Sequence, residues 1–316
     1  MMNYETFKGI VVEKFKDYLP KEYQGMELSI HTVEKVNVRM EGIILIDNCN
    51  AITAKCIIYI NEMYDHYKQC SDLQEVLQLA ARRMGHAIIE APKVDSAIDF
   101  NDAKDNIVFQ LINTEQNKQI LSDIPHREFE DLTIIYHLVL KMEADGISST
   151  VISSALAERL RLSEEQMFQL AVENTKRIFP PEICHINDIV REMFIKDGMP
   201  AEMADIMIEE VPAEMSLWVV SNNKRINGAI AMLYEDIFHT LAERLETNLY
   251  IMPSSIHEVI AVSVSSLDPN DLAEMVAEIN MKQVALEERL SNQVYHYDKD
   301  LRKLSRATDT PHKRLD

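Results

Sequence analysis

A chain of 316 residues with 47% hydrophobic content can bury one large core or two ordinary ones, so disorder is not its default. Its 32 basic residues against 52 acidic ones leave a formal charge of -20, which repels phosphate backbones and anionic lipid heads and sets direct nucleic-acid and membrane roles aside. Four cysteines, Cys49, Cys56, Cys70 and Cys184, form no CxxC pair, so they support neither a zinc knuckle nor a thioredoxin-like motif and read as buried thiols of a reducing compartment.

Tyr4, Phe7, Ile10, Val11, Phe15 and Tyr18 recur at helical spacing until Pro20, predicting an opening amphipathic helix. Charges through Met1 to Tyr23 interrupt any signal-peptide core. β-Branched residues in Glu27 to Val36, Gly42 to Asp47 and Ala51 to Ile60, with a turn at Asp47 to Asn50, predict a hairpin or meander. Ser71 and Gln74 have capping-box spacing, and Leu73, Val76, Leu77, Ala80, Met84 and Ala87 make one stripe before Pro92. Next come a strand at Asn106 to Ile112, a short helix at Glu115 to Leu121, and a buried strand at Leu132 to Met142, with Thr150 to Ile152 continuing the sheet. Ser163 to Gln166 opens a helix that Pro180-Pro181 ends, and Asn187 to Ile195 and Ala201 to Glu210 read as acidic, Met-rich helices.

The last third reads as strands at Leu217 to Val220 and Gly228 to Leu233, a helix at Ile237 to Leu245, strands at Leu249 to Met252 and Ile256 to Val264, and a helix at Asp271 to Asn280. Val294 to Tyr297 suggests an edge strand, and Asp298 to Asp316 a loose polar tail. Hairpins mixed with helices predict an α+β fold, with mixed or antiparallel sheets and packed amphipathic helices. The expected division is an α+β region over 1–180, a second over 181–298 and the tail 299–316, with one continuous domain as the alternative. The longest apolar runs, Leu132 to Leu140 and Ile256 to Val264, fall well short of the roughly 20 residues of a membrane helix, so a cytoplasmic location is expected.

Ser216-Leu-Trp-Val-Val-Ser-Asn-Asn-Lys-Arg-Ile-Asn-Gly-Ala229 and Asn248-Leu-Tyr-Ile-Met-Pro-Ser-Ser-Ile-His-Glu-Val-Ile-Ala261 resemble a bacterial family common in gut Clostridia, domain of unknown function 5688. The segment Asn280 to Tyr297 and the patch Ala171-Val-Glu-Asn-Thr175 are similar to it as well, so the resemblance covers most of the chain. It implies no established activity, cofactor or catalytic residue.

Ser254, Ser255, His257 and Glu258 place hydroxyl, imidazole and carboxylate within five residues, the inventory of a hydrolase. On a strand, however, His257 and Glu258 point to opposite faces, and the glycines of a nucleophile elbow are missing; ordinary turn chemistry explains Pro-Ser-Ser as well. Asn223, Lys224, Arg225 and Asn227 offer convergent donors for a carboxylate or phosphate, against the plainer account of a hairpin loop. Ten histidines make no HExxH, and seven glycines leave little material for a phosphate-cradling loop, so no metal or cofactor is expected.

Seventeen methionines, many in Met193 to Met215 and Met275 to Met281, would suit a pliable docking face, although core filling is the commoner use. The acidic run Glu202 to Glu214 would suit a nucleic-acid mimic, although solvated helix faces look the same. With no complete catalytic motif, the leading expectation is a non-catalytic binding or regulatory protein for a protein or small anionic partner. A hydrolase built on Ser254, Ser255, His257 and Glu258 is the alternative, and an acidic mimic the second; edge strands and methionines are compatible with a homodimer.

Overall fold

Asn3 starts the first helix by accepting a hydrogen bond from the Thr6 N–H at 2.9 Å, and the chain then follows the predicted stripe through α1 (Tyr4–Tyr18). The computed structural model describes residues 1–46, 57–90, 102–142, 147–208 and 215–309, apart from the side chains of residues 89, 90, 254 and 266. Contacts divide the chain into two compact units, Met1–Asp99 and Phe100–Asp316. Pro181–His185, beside which the sequence suggested a boundary, is a strand inside the second unit.

In the first unit, β1 (Glu27–Lys35) and β2 (Val38–Ile46) form a hairpin around Val36 and Asn37, the latter left-handed at φ 60°. β3 (Ile57–Tyr59) adds to β2 so closely that a Cβ on Gly42 would meet Ile57 Cγ2 at 2.3 Å. The expected turn at Asp47 to Asn50 lies outside the described residues. Two helices follow, α2 (Ile60–Cys70), where the sequence suggested only strand up to Ile60, and α3 (Leu73–Glu90). Asp72 rather than Ser71 caps α3, since its carboxylate accepts from Gln74 and Glu75 while Ser71 turns left-handed to end α2. Phe7, Val11 and Phe15 pack with Ile43, Leu45, Ile60, Met63, Leu77 and Met84, each large side chain contributing about 1.5–3 kcal/mol on leaving water.

The second unit contains, in chain order, β4 (Ile107–Asn113), α4 (Lys118–Leu121), β5 (His126–Phe129), β6 (Leu132–Met142), β7 (Ile147–Val151), α5 (Ser154–Leu160), α6 (Glu164–Ile178), β8 (Pro181–His185), α7 (Ile186–Lys196), α8 (Ala201–Met207) and β9 (Trp218–Asn222). Then follow a 3-10 helix at Gly228–Leu233, α9 (Glu235–Leu245), β10 (Leu249–Ser255), β11 (Glu258–Ser263), α10 (Pro269–Lys282), β12 (Tyr295–Asp298) and β13 (Lys303–Arg306). One sheet runs β4-β6-β5 with β7 also on β6, and the other runs β13-β12-β10-β11-β9-β8. All pairings are antiparallel, so the fold is α+β.

The capping box at Ser163 and Gln166 forms as read and sets α6 against the outer edge of β4. There Thr175 Oγ1 accepts from the Phe109 N–H, and Asn174 Nδ2 donates to the carbonyls of Lys104 and Ile107. The polar residues of the Ala171 to Thr175 patch thus satisfy a strand edge that would otherwise be buried without partners. α10 packs Leu272, Ala273 and Val276 against Met252 and Val262 of the six-stranded sheet and against Val294.

Gly228–Leu233 is a 3-10 helix and not a strand, because it lies against β9 and β11 without joining the sheet. β12 is not an edge, since β13 pairs beyond it, and Thr308, expected in the loose tail, is buried and accepts from the Val294 N–H at 3.0 Å.

Leu290 to Val294 crosses the interior without regular structure, and its polar groups are met by side chains. Asn113 donates to the Leu290 carbonyl at 2.9 Å and Asn280 to that of Ser291 at 3.0 Å. The Ser291 hydroxyl and the Tyr295 phenol both donate to the Asp131 carboxylate. Burial and that carboxylate push the Tyr295 phenol well above its ordinary range.

Candidate functional site

The two turns singled out in the sequence meet in the structure. β9 ends at Asn222, whose side chain organises the first turn: Oδ1 accepts from Lys224 N at 3.0 Å and Ile226 N at 3.4 Å, and Nδ2 donates to the Ile226 carbonyl at 2.7 Å. Arg225 and Asn227 are left-handed at φ 53° and 51°, which brings the chain back toward β9. The next residue has to be glycine, because a Cβ on Gly228 would stand 2.2 Å from Ser221 Oγ and 2.4 Å from the His257 carbonyl oxygen.

β10 and β11 close the second turn through the pair Ser255 and Glu258, with Ile256 and His257 at its tip. Four contacts bind this tip to its surroundings. Ser221 Oγ donates to the His257 carbonyl at 2.7 Å, and Ala229 N donates to that of Ile256 at 3.2 Å. The Ile256 N–H donates to the Glu288 carbonyl at 2.8 Å, and the Asn227 N–H donates to His257 Nδ1 at 3.2 Å.

This wiring specifies the imidazole. Because Nδ1 accepts from a backbone amide, the ring proton sits on Nε2, which faces Glu288 Oε1 at 3.4 Å. Ser255 Oγ, buried beneath the tip, accepts from the His257 N–H at 3.0 Å. Neither ring nitrogen therefore holds a free lone pair toward Ser255, and the nucleophile-to-base hydrogen bond of a hydrolase is missing from this arrangement. Glu258 is half-buried at the start of β11, and the side chain of Ser254 lies outside the described residues.

Of the candidate binding residues, Asn223 and Asn227 act mainly through their backbones, Asn223 N donating to the Pro180 carbonyl at 3.0 Å. Lys224 and Arg225 project into solvent, and Arg225 Nη2 is 4.0 Å from Glu192 Oε2. His257 is half-buried.

Glu192 belongs to the neighbouring helix. His185 caps α7 by accepting from the Asn187 N–H at 3.2 Å, and Gly198, at φ 94°, ends it before Pro200 opens α8. Ile186, Ile189, Val190, Met193 and Phe194 form an amphipathic stripe on α7, yet no residue of α7 is buried, and only Ala204 of α8 is. Met193, Met203, Ile206, Met207 and Met215 are 58%, 56%, 83%, 60% and 53% exposed. Core filling accounts for Met63, Met84, Met167 and Met252, but not for this group. Periodicity marked these helices correctly; what it lacks is whether anything covers the stripe. The acidic run noted from Glu202 is described only through Ile208.

Among the described residues no group of three His, Cys, Asp or Glu side chains is placed to hold a metal ion, and no helix is long and apolar enough to cross a membrane. Cys70 and Cys184 are free thiols, and burial, with Glu182 nearby, pushes the Cys184 thiol up. Cys49 and Cys56 lie outside the described residues.

Comparison with curated proteins and with solved structures gives no match. A family model matches residues 4–299, a span that takes in α1, both turns, the α7–α8 hairpin and the interior strap at Leu290 to Val294. On that match the chain belongs to DUF5688, a family of unknown function.

Proposed function

We propose that this chain is a non-catalytic binding protein of the cytoplasm, and that its α7–α8 hairpin docks a protein partner. The observation that carries the reading is an 11-residue amphipathic helix, α7, whose stripe is only half-buried with Met193 exposed, beside a helix that buries only Ala204 and exposes Met203, Ile206 and Met207. A helix of that length has little stability of its own in water, and soluble chains seldom leave a contiguous apolar patch exposed without a use for it. A docked partner resolves both. Unbranched thioether side chains also adapt to the shape of what they meet. The cytoplasmic part rests on thiols without disulfide-like spacing.

The test compares proteins retained from the native host by the wild type and by the double variant Ile206→Ser, Met207→Ser, with each retained protein then purified and mixed back. A partner lost by the variant, and slowing amide exchange in α7 and α8 of the wild type, is the expected result. Identical retained sets would sink the reading.

One observation favours a second site on the same protein: Lys224 and Arg225 are exposed on a turn that is joined to the turn of His257 through the Asn227 N–H. Such a trio suits a carboxylate or phosphate of a small molecule or of the partner. Replacing Lys224 and Arg225 by Ala should weaken binding of that anion severalfold at low salt; unchanged binding removes the turns from the function.

A further inference from the structure

Resting on the reading of the α7–α8 hairpin as a docking surface, we infer that its occupant is a basic amphipathic helix of another protein. Met203, Ile206 and Met207 fall at helical spacing i, i+3, i+4 and form one exposed ridge, against which the apolar face of a second helix packs side chain to side chain. Charge selects the partner's other face. Over Ile186 to Ile208, Asp188, Glu192, Asp197, Glu202 and Asp205 outnumber Arg191 and Lys196. Arg191 is already held by Asp205, Nη2 to Oδ2 at 3.4 Å, and Glu192 lies 4.0 Å from Arg225 Nη2, which leaves Asp188, Asp197 and Glu202 to be answered from outside. Asp188, Asp197 and Glu202 are exposed.

The same charge argues against a second copy of this chain. Facing two hairpins would set carboxylate against carboxylate in a molecule of formal charge -20, and like charges juxtaposed at an interface cost several kcal/mol. A lysine- and arginine-bearing helix instead gains steered association, which falls as salt rises.

The test uses the full chain and two fluorescein-labelled peptides of about 18 residues with the same leucine periodicity, one completed with lysine and one with glutamate, a length that spans the hairpin. Anisotropy reads binding, and amide exchange locates it. The expected result is that the lysine peptide binds and slows exchange across 186–208, and the glutamate peptide does not. The same peptide should lose about tenfold in affinity, equivalent to ~1.4 kcal/mol, with Ile206→Ser, Met207→Ser and again with Asp188→Lys, Glu202→Lys. Several outcomes overturn the inference: equal binding of the glutamate peptide, binding indifferent to Asp188→Lys, Glu202→Lys, no binding of either peptide, or a dimer that protects 186–208. If the glutamate peptide or a second copy protects those residues, the hairpin still docks a protein and only the partner's chemistry falls. If no peptide binds and the host proteins retained by the wild type are also kept by Ile206→Ser, Met207→Ser, the docking reading falls with it.

Discussion

The backbone N–H of Asn227 donates to Nδ1 of His257 at 3.2 Å, so a left-handed residue of one turn fixes the tautomer of an imidazole at the tip of another. The histidine works here as an acceptor that clasps two turns. His257→Ala should therefore cost about 1–2 kcal/mol in urea denaturation, the size of a half-buried hydrogen bond, whereas His257→Asn, which keeps an acceptor near Nδ1, should recover part of it. Equal losses for both would mean that ring packing, and not the acceptor, holds the clasp.

Gly228 is the tighter constraint. Gly228→Ala drives a methyl group into Ser221 Oγ and the His257 carbonyl, and should cost about 3 kcal/mol or more, visible as a fall in denaturation midpoint. Removing the hydroxyl with Ser221→Ala should rescue only part of that loss, because the backbone carbonyl stays where it is. Wild-type stability in Gly228→Ala would show that the turns do not approach this closely.

The edge of β4 offers a third check. Thr175→Val keeps shape but leaves the Phe109 N–H without its acceptor, for an expected loss of about 1–3 kcal/mol and faster exchange of that amide. An unchanged Phe109 exchange rate would show that Thr175 is not its partner.

Burial pushes the His137 imidazole down to about 4, with Nδ1 3.3 Å from Ser149 Oγ and Nε2 buried without a hydrogen-bond partner among the described residues. The native state keeps this ring neutral while the unfolded chain takes up a proton near the ordinary value of about 6.5. Between those values the unfolded state binds more protons, so stability rises with pH there and is lost as pH falls from about 6.5 toward about 4. His137→Phe should flatten that part of the pH profile. A profile of unchanged slope would assign the loss to other groups.

Much of the architecture was legible because it rests on local patterns. The stripe of α1, the β-branched run of β6 and the capping box of α6 each need only a dozen residues to declare themselves. The 3-10 helix at Gly228–Leu233 was read as a strand because an apolar hexapeptide carries no period of its own, and its packing against β9 and β11 without pairing is a tertiary fact. α2 and α5 escaped notice, the first because its start continues a β-branched run. Both turns of the site were visible from their composition, but their contact was not. It pairs backbone groups of Asn227 and His257 with the His257 ring and the Ser221 hydroxyl, and the backbone half of each bond leaves no trace in residue identity.

The strap from Leu290 to Val294 gives the second unit a direction in time. Asn113, Asp131 and Asn280 keep their interior partners only once that segment has been threaded beside them, and β10 receives β12 only after it. A growing chain leaves the ribosome from its N-terminus, so these early polar side chains wait, hydrated, until the last strands are synthesised. The first unit has its sheet and helices within its own hundred or so residues and can close earlier. Vectorial synthesis therefore meets the first unit ready to fold and the second held open until β12 has emerged.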